Sequence, residues 1–449
     1  MPEEIKTCQG QVYDRKTGRN KYCDRLLYDD KHCICHSEDP HKDINQFKDE
    51  VRKQLNREDC HDFSSFAFPE NYSFKDTSLK HNVYFRDAKF AGGTEFTYAK
   101  FGGKVNFEFA DFGGKVNFEF ADFGGKVNFT YAKFAGEANF GCAEFTDYAT
   151  FFLTKFGGDA HFESTMFKKR AIFNLVKLNE KAIVRFDGEE NELDKSVFQD
   201  TADFSQITIL KDATIVFRKI DLSRCFFLET DVTKVDFSDV TWAYIGGIGK
   251  WFKTKVVYDA IKNGNEDKDG NYDYRLIAQL YRRLQINYID NCHYSQAGDF
   301  HIGEQEAVRK SKGKLGQYLC TNMLYKMTSI YGESFVRPLL WLVVILLLFP
   351  AIFLYTGLDV ATPPQHVSKI ENNVNYEFSV NPSNAFLFNV DYWNSFGINL
   401  SFISFDRTEI KTRLHSQYQI TLVHFERLCV ITLVSFFILA LRRSYKRKI

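Results

Sequence analysis

Phenylalanine recurs through the middle of this chain at steps that alternate between five and six residues. An α-helix repeats every 3.6 residues and a flat strand every 2, so neither element alone accounts for this spacing. The pattern requires a coil in which each successive side places one aromatic ring inward. From Phe85 onward the predicted core positions are Phe90, Phe96, Phe101, Phe107, Phe112, Phe118, Phe123, Phe129, Phe134 and Phe140, and the spacing continues to Phe173.

The eleven-residue unit FGGKVNFEFAD occurs at residues 101–111 and again at 112–122. Repetition this close predicts a repeat architecture rather than an ordinary globular core. If each segment of five or six residues is one side, four sides make a turn, and neighbouring turns lie at the sheet spacing of roughly 4.8 Å. Paired glycines such as Gly113 and Gly114 follow an inward Phe, which predicts corners that need permissive backbone angles.

A strict period of five follows at Leu222, Phe227, Val232, Phe237 and Trp242. The two patterns together resemble the pentapeptide-repeat proteins, over roughly residues 80–245. The resemblance implies a right-handed quadrilateral β-helix. We therefore predict a mainly β fold, in which a β-solenoid at residues 71–250 is followed by an α-helical connector and two transmembrane helices.

The charges disfavour nucleic acid as a partner. The chain has 58 basic and 58 acidic residues, and residues 85–173 hold eleven of each kind. Neither bulk attraction to phosphate nor an acidic imitation of DNA follows from that balance. A solenoid face is instead a suitable surface for a protein partner.

Residues 1–70 contain three thiols and an imidazole that predict a structural zinc site: Cys8, Cys23, Cys33 and His36. The segment is polar and short, and a tetrahedral metal would supply folding energy that it otherwise lacks. It also resembles the short Cys/His modules that precede such repeats in related proteins. Cys35 could replace Cys33 as a ligand, and an unstructured tail with free thiols is the alternative.

Residues 251–336 change to helical spacing, with Leu276, Leu280, Leu284 and Tyr288 on one face. The sequence AGDF at residues 297–300 resembles the second helix of a tetratricopeptide-like hairpin. With YGE at residues 331–333, the order of these motifs resembles pentapeptide-repeat proteins that end in an ion-channel-like domain. A helical connector is therefore predicted between the solenoid and the membrane.

Residues 337–449 are predicted to be the membrane domain. Two apolar stretches, about residues 338–358 and 420–441, are long enough to cross a bilayer. Basic residues flank the outer ends of both stretches, so both termini are predicted to be cytoplasmic at the cell (inner) membrane. The loop between the spans then lies outside the cytoplasm, and its apolar part, residues 386–406, is predicted to re-enter the membrane or to remain outside it.

Two spans around a re-entrant segment resemble a pore-loop channel. The residues in the filter position are Ser401, Ile403, Ser404, Phe405 and Asp406. This stretch has no glycine, unlike the filter of potassium channels, which puts potassium selectivity in doubt. Glu426 and Arg427 are either an intramembrane charge pair or an interfacial pair at the outer boundary.

The preferred hypothesis is a channel-like membrane protein that forms a homo-oligomer in the lipid bilayer, with a tetramer favoured. The cytoplasmic solenoid would then be its sensor or docking module. The alternative is a membrane-tethered scaffold that binds partner proteins through the solenoid and does not conduct ions. No P-loop, dinucleotide fingerprint or nucleophile elbow is found, so an enzyme is not expected.

Overall fold

The computed structural model describes residues 7–9, 11–14, 19–188, 197–245, 254–262, 273–312, 316, 318, 321–356 and 417–446. The chain divides into two compact units, Met1–Val308 and Arg309–Ile449. The first unit contains the solenoid, and the second contains the apolar helices.

Four parallel sheets, here named A to D in the order in which the chain first visits them, form the sides of the solenoid. Sheet A contains Cys60–Asp62, Asn82–Tyr84, Val105–Asn106, Val127–Asn128, Ala149–Thr150, Ala171–Ile172, Ala202–Asp203 and Cys225–Phe226. Sheet B contains Ala67–Phe68, Lys89–Phe90, Asp111–Phe112, Lys133–Phe134, Lys155–Phe156, Lys177–Leu178 and Thr208–Ile209. Sheet C contains Tyr72–Ser73, Thr94–Glu95, Val116–Asn117, Ala138–Asn139, Ala160–His161, Ile183–Asp187, Thr214–Arg218 and Val235–Ser238. Sheet D contains Ser78–Leu79, Lys100–Phe101, Asp122–Phe123, Glu144–Phe145 and Met166–Phe167.

Each turn places its strands directly beside those of the turn before. Val105 pairs with Val127 and Phe101 with Phe123, which are 22 residues apart in sequence, as the Phe spacing predicts. The first strand of the solenoid begins at Cys60, before the first recognisable repeat. All ten predicted core Phe side chains are at most 1% exposed.

The inward rings stack in columns along the solenoid. Phe90, Phe112 and Phe134 lie with ring centroids 4.7 and 4.9 Å apart and nearly parallel planes. Rings from adjacent sides, such as Phe107 and Phe118, meet edge to face at 5.7 Å. Because each buried Phe contributes roughly 1.5–3 kcal/mol and each aromatic pair about 0.5–1.5 kcal/mol more, these columns are the main source of stability.

Two of the four corners in each regular turn use a left-handed residue that is not glycine. Phe109 and Phe120 have φ of 59° and 57°, and the same conformation recurs every eleven residues. The side-chain oxygens of Asn106 and Asn117 accept hydrogen bonds from the backbone N–H two residues later, at 2.9 and 3.0 Å. An Asn at this position makes a local turn that holds the corner.

The paired glycines are needed for a different reason from the backbone flexibility that the sequence predicts. None of the pairs has a positive φ, so permissive backbone angles are not the reason for them. A Cβ added to Gly114 would lie 2.6 Å from the carbonyl carbon of Gly92, and one on Gly125 would lie 2.6 Å from that of Gly103. The second glycine is therefore required in four of the five pairs, at positions 103, 114, 125 and 158, because successive turns touch there backbone to backbone.

A helix covers the first turn of the solenoid. Helix α1, Ile44–Leu55, begins at Asp43, whose carboxylate accepts hydrogen bonds from the first backbone N–H groups. It buries Phe47 edge to face against Phe68 and Tyr72, at 5.5 and 5.7 Å. Before it lies a hairpin of strands Gln11–Asp14 and Arg19–Tyr22. Terminal covers of this kind shield the end of a solenoid core from water.

The last turn is covered by the predicted helical connector. After the 3₁₀ turn Val232–Lys234 and the antiparallel pair Ala243–Ile245 and Thr254–Val256 come helices α2, Tyr258–Lys262, α3, Tyr274–Asp290, and α4, Tyr294–Lys310. In α3 the amide of Asn287 donates to the carbonyls of Val232 and Val235, at 3.0 and 2.7 Å. The indole of Trp242 donates to the Tyr288 hydroxyl at 2.8 Å. The start of this connector is therefore docked on the solenoid.

The second unit contains helices α5, Thr321–Ser329, α6, Val336–Thr356, and α7, Gln417–Lys446. Among the described residues one helix is long and apolar enough to cross a membrane, at His424–Tyr445. That segment lies four residues later than the span predicted at 420–441. The first predicted span overlaps α6, whose apolar part within the described side chains is Val336–Ile352. The structure thus supports one candidate span where the sequence predicts two.

We expect Gly114→Ala to destabilise the solenoid by about 1–3 kcal/mol, because the new methyl group would overlap the backbone of the neighbouring turn. Chemical denaturation measures the change. Gly124→Ala is the control, since a Cβ there would lie no closer than 3.2 Å to any atom of the neighbouring turn, the nearest being Phe101 O. Equal effects of the two substitutions would contradict the steric explanation.

Asp259, in α2, makes the stability of the C-terminal cover depend on pH. Its carboxylate accepts hydrogen bonds from the backbone N–H groups of Phe227 and Leu228, and its burial raises its pKa to about 7. In the folded state the Asp259 carboxyl group therefore keeps its proton up to about pH 7, whereas an Asp in the unfolded chain loses it at about pH 3.9. The stability that this group contributes is complete below pH 4 and is lost as the pH rises through 7.

Asp259→Asn removes this ionisation and retains an acceptor oxygen. We expect thermal unfolding to show the variant gaining stability relative to the wild type between about pH 4 and pH 8. Asp236→Asn, at an exposed position, is the control and should not alter the pH profile. A stability difference between wild type and D259N that is the same at every pH would refute the assignment.

Candidate metal centre

The four ligands predicted in the N-terminal segment lie together. One donor atom each from Cys8, Cys23, Cys33 and His36 can be chosen so that all lie within 4.8 Å of one another. The Nδ1 atom of His36 is 3.3 Å from Cys8 Sγ and 3.4 Å from Cys33 Sγ, and the sulfurs of Cys23 and Cys33 are 4.0 Å apart. All four side chains are buried.

Local backbone structure brings the ligands together from three segments. Cys8 donates its backbone N–H to Arg25 O at 3.1 Å, which fastens the start of the chain beside the residues that follow the hairpin. The sequence CICH forms a tight turn in which the N–H groups of His36 and Ser37 both donate to Cys33 O. This turn places the Cys33 and His36 side chains on the same side.

The distances fit a tetrahedral metal. Zinc–sulfur bonds of about 2.3 Å at tetrahedral angles place two sulfurs about 3.8 Å apart, close to the observed separation. A hydrogen bond to Cys33, together with burial, raises the pKa of the Cys23 thiol to about 11. A bound cation would reverse this preference and hold the sulfurs as thiolates. Three thiolates and one imidazole would fill the coordination shell, which is typical of a structural site.

Cys35, the alternative ligand, is buried but lies outside the group of four. Its carbonyl accepts a hydrogen bond from Ala67 N at 2.7 Å, so its backbone extends the first turn of the solenoid. The segment that carries the cluster is thereby attached to sheet B.

Lys42 is a residue that the sequence did not single out. Its ammonium group is buried and donates to the carbonyls of Ile34, Ser37 and Ala67. Desolvation lowers its pKa to about 8. It links the metal-ligand turn to the first turn of the solenoid, and only the folded chain could have revealed it because its partners are main-chain oxygens.

The other predicted site residues are in the second unit. Ser401, Ile403, Ser404, Phe405 and Asp406 lie outside the described residues, as does the whole loop at 386–406. Glu426 and Arg427 both fall within the candidate span His424–Tyr445. Glu426 is buried and Arg427 is exposed, so the two side chains lie on different faces of α7.

A family model described as pentapeptide repeats, in nine copies, matches residues 74–121. The match and the four-sided architecture together define the class: the first unit carries a pentapeptide-repeat β-solenoid. The match does not extend to the Cys/His cluster or to the C-terminal helices. No curated protein and no solved structure matches the chain.

We expect Cys33→Ser to lower the zinc content of the purified protein from one equivalent towards zero, because it removes one of four ligands. Elemental analysis after dialysis measures the content. Cys35→Ser is the matched control, since it is the neighbouring buried thiol outside the group, and it should retain zinc. Loss of zinc in C35S with retention in C33S would show that Cys35, and not Cys33, is the ligand. If the wild-type protein holds no zinc after loading with the metal, the site is rejected.

Proposed function

We propose that this protein is a membrane-anchored scaffold: a rigid solenoid that presents its sides to binding partners, held at a bilayer by the C-terminal helices. The observation that carries the proposal is the combination of a solenoid covered at both ends with apolar helices in the same chain. A covered solenoid neither grows nor opens at its ends, so its free surfaces are its sides. The function is binding and anchoring rather than catalysis.

The surface chemistry of the second unit supports an anchor. Large apolar side chains point outward along α6 and α7, including Leu340, Leu428 and Ile438, which are 59%, 62% and 59% exposed. Contiguous exposed apolar surface of this extent is unfavourable in water and favourable in lipid. We therefore propose that α6 joins α7 in the membrane as a second span.

Contacts within the second unit favour a helical hairpin. The guanidinium group of Arg443, near the end of α7, donates to Tyr331 O and to Glu333 Oε1, at 3.0 and 3.1 Å. Tyr325 and Phe436 lie with ring centroids 5.2 Å apart. The start of α6 and the end of α7 are thus at the same end of the pair. With basic residues at that end, we propose that both termini lie on the cytoplasmic side.

We also propose that the metal of the Cys/His cluster is a structural zinc. Its role would be to stabilise the N-terminal cover of the solenoid, because the segment has few apolar residues of its own. The residues that would hold it are Cys8, Cys23, Cys33 and His36.

A second candidate function is a channel built by a homo-oligomer, with a tetramer favoured. The observation in its favour is the buried carboxylic acid Glu426 within a largely apolar helix. Ionisable groups inside membrane helices are costly and usually serve ion pathways or helix contacts. The filter residues proposed from the sequence would have to supply selectivity.

We expect the full chain to remain in the membrane after alkaline carbonate extraction. The variant Val434→Lys/Ile438→Lys should be released, because each Lys at the centre of a span costs about 2.5–3.5 kcal/mol. The control Tyr98→Lys/Phe120→Lys changes two exposed residues of the solenoid and should stay in the pellet. Release of the wild-type chain would reject the anchor.

Planar bilayer recording then separates the two candidates. The scaffold predicts no current from an intact reconstituted oligomer. An ion-selective current that Glu426→Gln alters would reject the scaffold in favour of the channel.

A further inference from the structure

The neutral net charge of the solenoid hides an uneven distribution of charge around its sides. Sheet B presents a row of basic residues to solvent. At equivalent positions in consecutive turns its outward residues are Lys89, Asp111, Lys133, Lys155 and Lys177. Sheet D, half a turn away, presents a mixture at the matching positions: Ser78, Lys100, Asp122, Glu144 and Met166.

Lys133, Lys155 and Lys177 are direct neighbours in the ladder of sheet B. All three are exposed, and in the described part of the chain none of them forms an ion pair. Like charges on adjacent strands, about 4.8 Å apart, repel each other and destabilise a sheet. An anionic partner would relieve that repulsion.

A row of apolar side chains runs along the corner between sheets A and B. It consists of Phe109, Tyr131, Leu153 and Leu175, which are the left-handed corner residues of four consecutive turns. Phe109 and Tyr131 are 40% and 43% exposed and stack on each other at 4.8 Å. The opposite corner loses its apolar character, since Tyr98 and Phe120 are followed there by Cys142 and Ser164.

On the far side of the apolar row, the outward residues that precede the strands of sheet A are Lys104, Lys126, Tyr148 and Arg170. The ammonium group of Lys126 lies 5.1 Å from the centre of the Tyr148 ring. The lysines of sheet B thus adjoin the apolar row on one side, and on the other side a second row, in which three of the four residues are basic, lies across the outward face of sheet A. We name these three rows together the basic-apolar face.

We propose that the basic-apolar face binds an anionic lipid bilayer surface. Lysines flanking exposed aromatic and aliphatic side chains can place their ammonium groups at headgroup phosphates while the apolar side chains enter the interface. Two of the four apolar residues are leucines, which cannot stack on bases, so the face fits lipid better than single-stranded nucleic acid. The choice of lipid also rests on the membrane anchor proposed above.

The test is lysine footprinting of the full chain in nanodiscs of phosphatidylcholine, with or without phosphatidylglycerol. Acetylation rates are read by mass spectrometry. We expect Lys133, Lys155 and Lys177 to be acetylated about fivefold more slowly in the anionic nanodiscs. Attraction to an anionic surface changes the binding equilibrium of one lysine by about that factor. Lys100, exposed on sheet D, is the internal control and should react equally in both.

We expect the anionic nanodiscs to protect Lys104 and Lys126 from acetylation as well. In the variant Lys133→Glu/Lys155→Glu/Lys177→Glu this protection of Lys104 and Lys126 should be lost. The matched control Lys100→Glu/Lys115→Glu/Lys168→Glu, which reverses the same number of charges elsewhere, should keep it. Circular dichroism establishes that both variants are folded.

Equal acetylation of the sheet B lysines in both nanodiscs would overturn the proposal. So would protection by a soluble single-stranded oligonucleotide with none by the anionic bilayer. If the chain enters no nanodisc, the anchor fails, and footprinting with added vesicles of the same two compositions still decides whether the face binds anionic lipid.

Discussion

The close stacking of one turn directly on the next is the constraint on which the rest of the first unit depends. Backbone N–H groups of one turn donate to carbonyls of the following turn, as Phe107 does to Asn128 and Phe118 to Asn139, both at 2.7 Å. The distance between adjacent strands is also the stacking distance of aromatic rings, so hydrogen bonding and ring packing reinforce each other. The same spacing excludes a Cβ where the corners touch, which explains the glycines at 114 and 125.

A stacked solenoid has two open ends, and much of the remaining chain is used to cover them. An uncovered end exposes a hydrophobic core and unpaired strand edges, which promotes association with other chains. The metal-ligand segment and α1 cover the first turn through Lys42, Cys35 and Phe47. At the other end, Asp259 and Asn287 satisfy backbone groups of the last turns. The Cys/His cluster is therefore best understood as part of a structural cover.

Position around the solenoid, and not composition, determines its surface chemistry. Eleven acidic and eleven basic residues in the regular repeats suggest a surface without electrostatic preference. Because positions 22 residues apart share a side, a few lysines with that separation become a continuous basic row. An argument from net charge alone misses such a face, since only the register brings the residues together.

The sequence by itself determined the solenoid, its turn of 22 residues, its inward phenylalanines and the Cys/His cluster, with Cys35 left open as an alternative to Cys33. It could do so because each of these depends on local spacing: a ring recurs at every side, and the ligands occur within one short segment. Tertiary structure decided why the glycines are needed, because the overlap of a Cβ with the neighbouring turn depends on how closely the two backbones approach. It also decided where the solenoid begins and how Lys42 and Asp259 attach the covers, because those contacts join residues whose separation has no period.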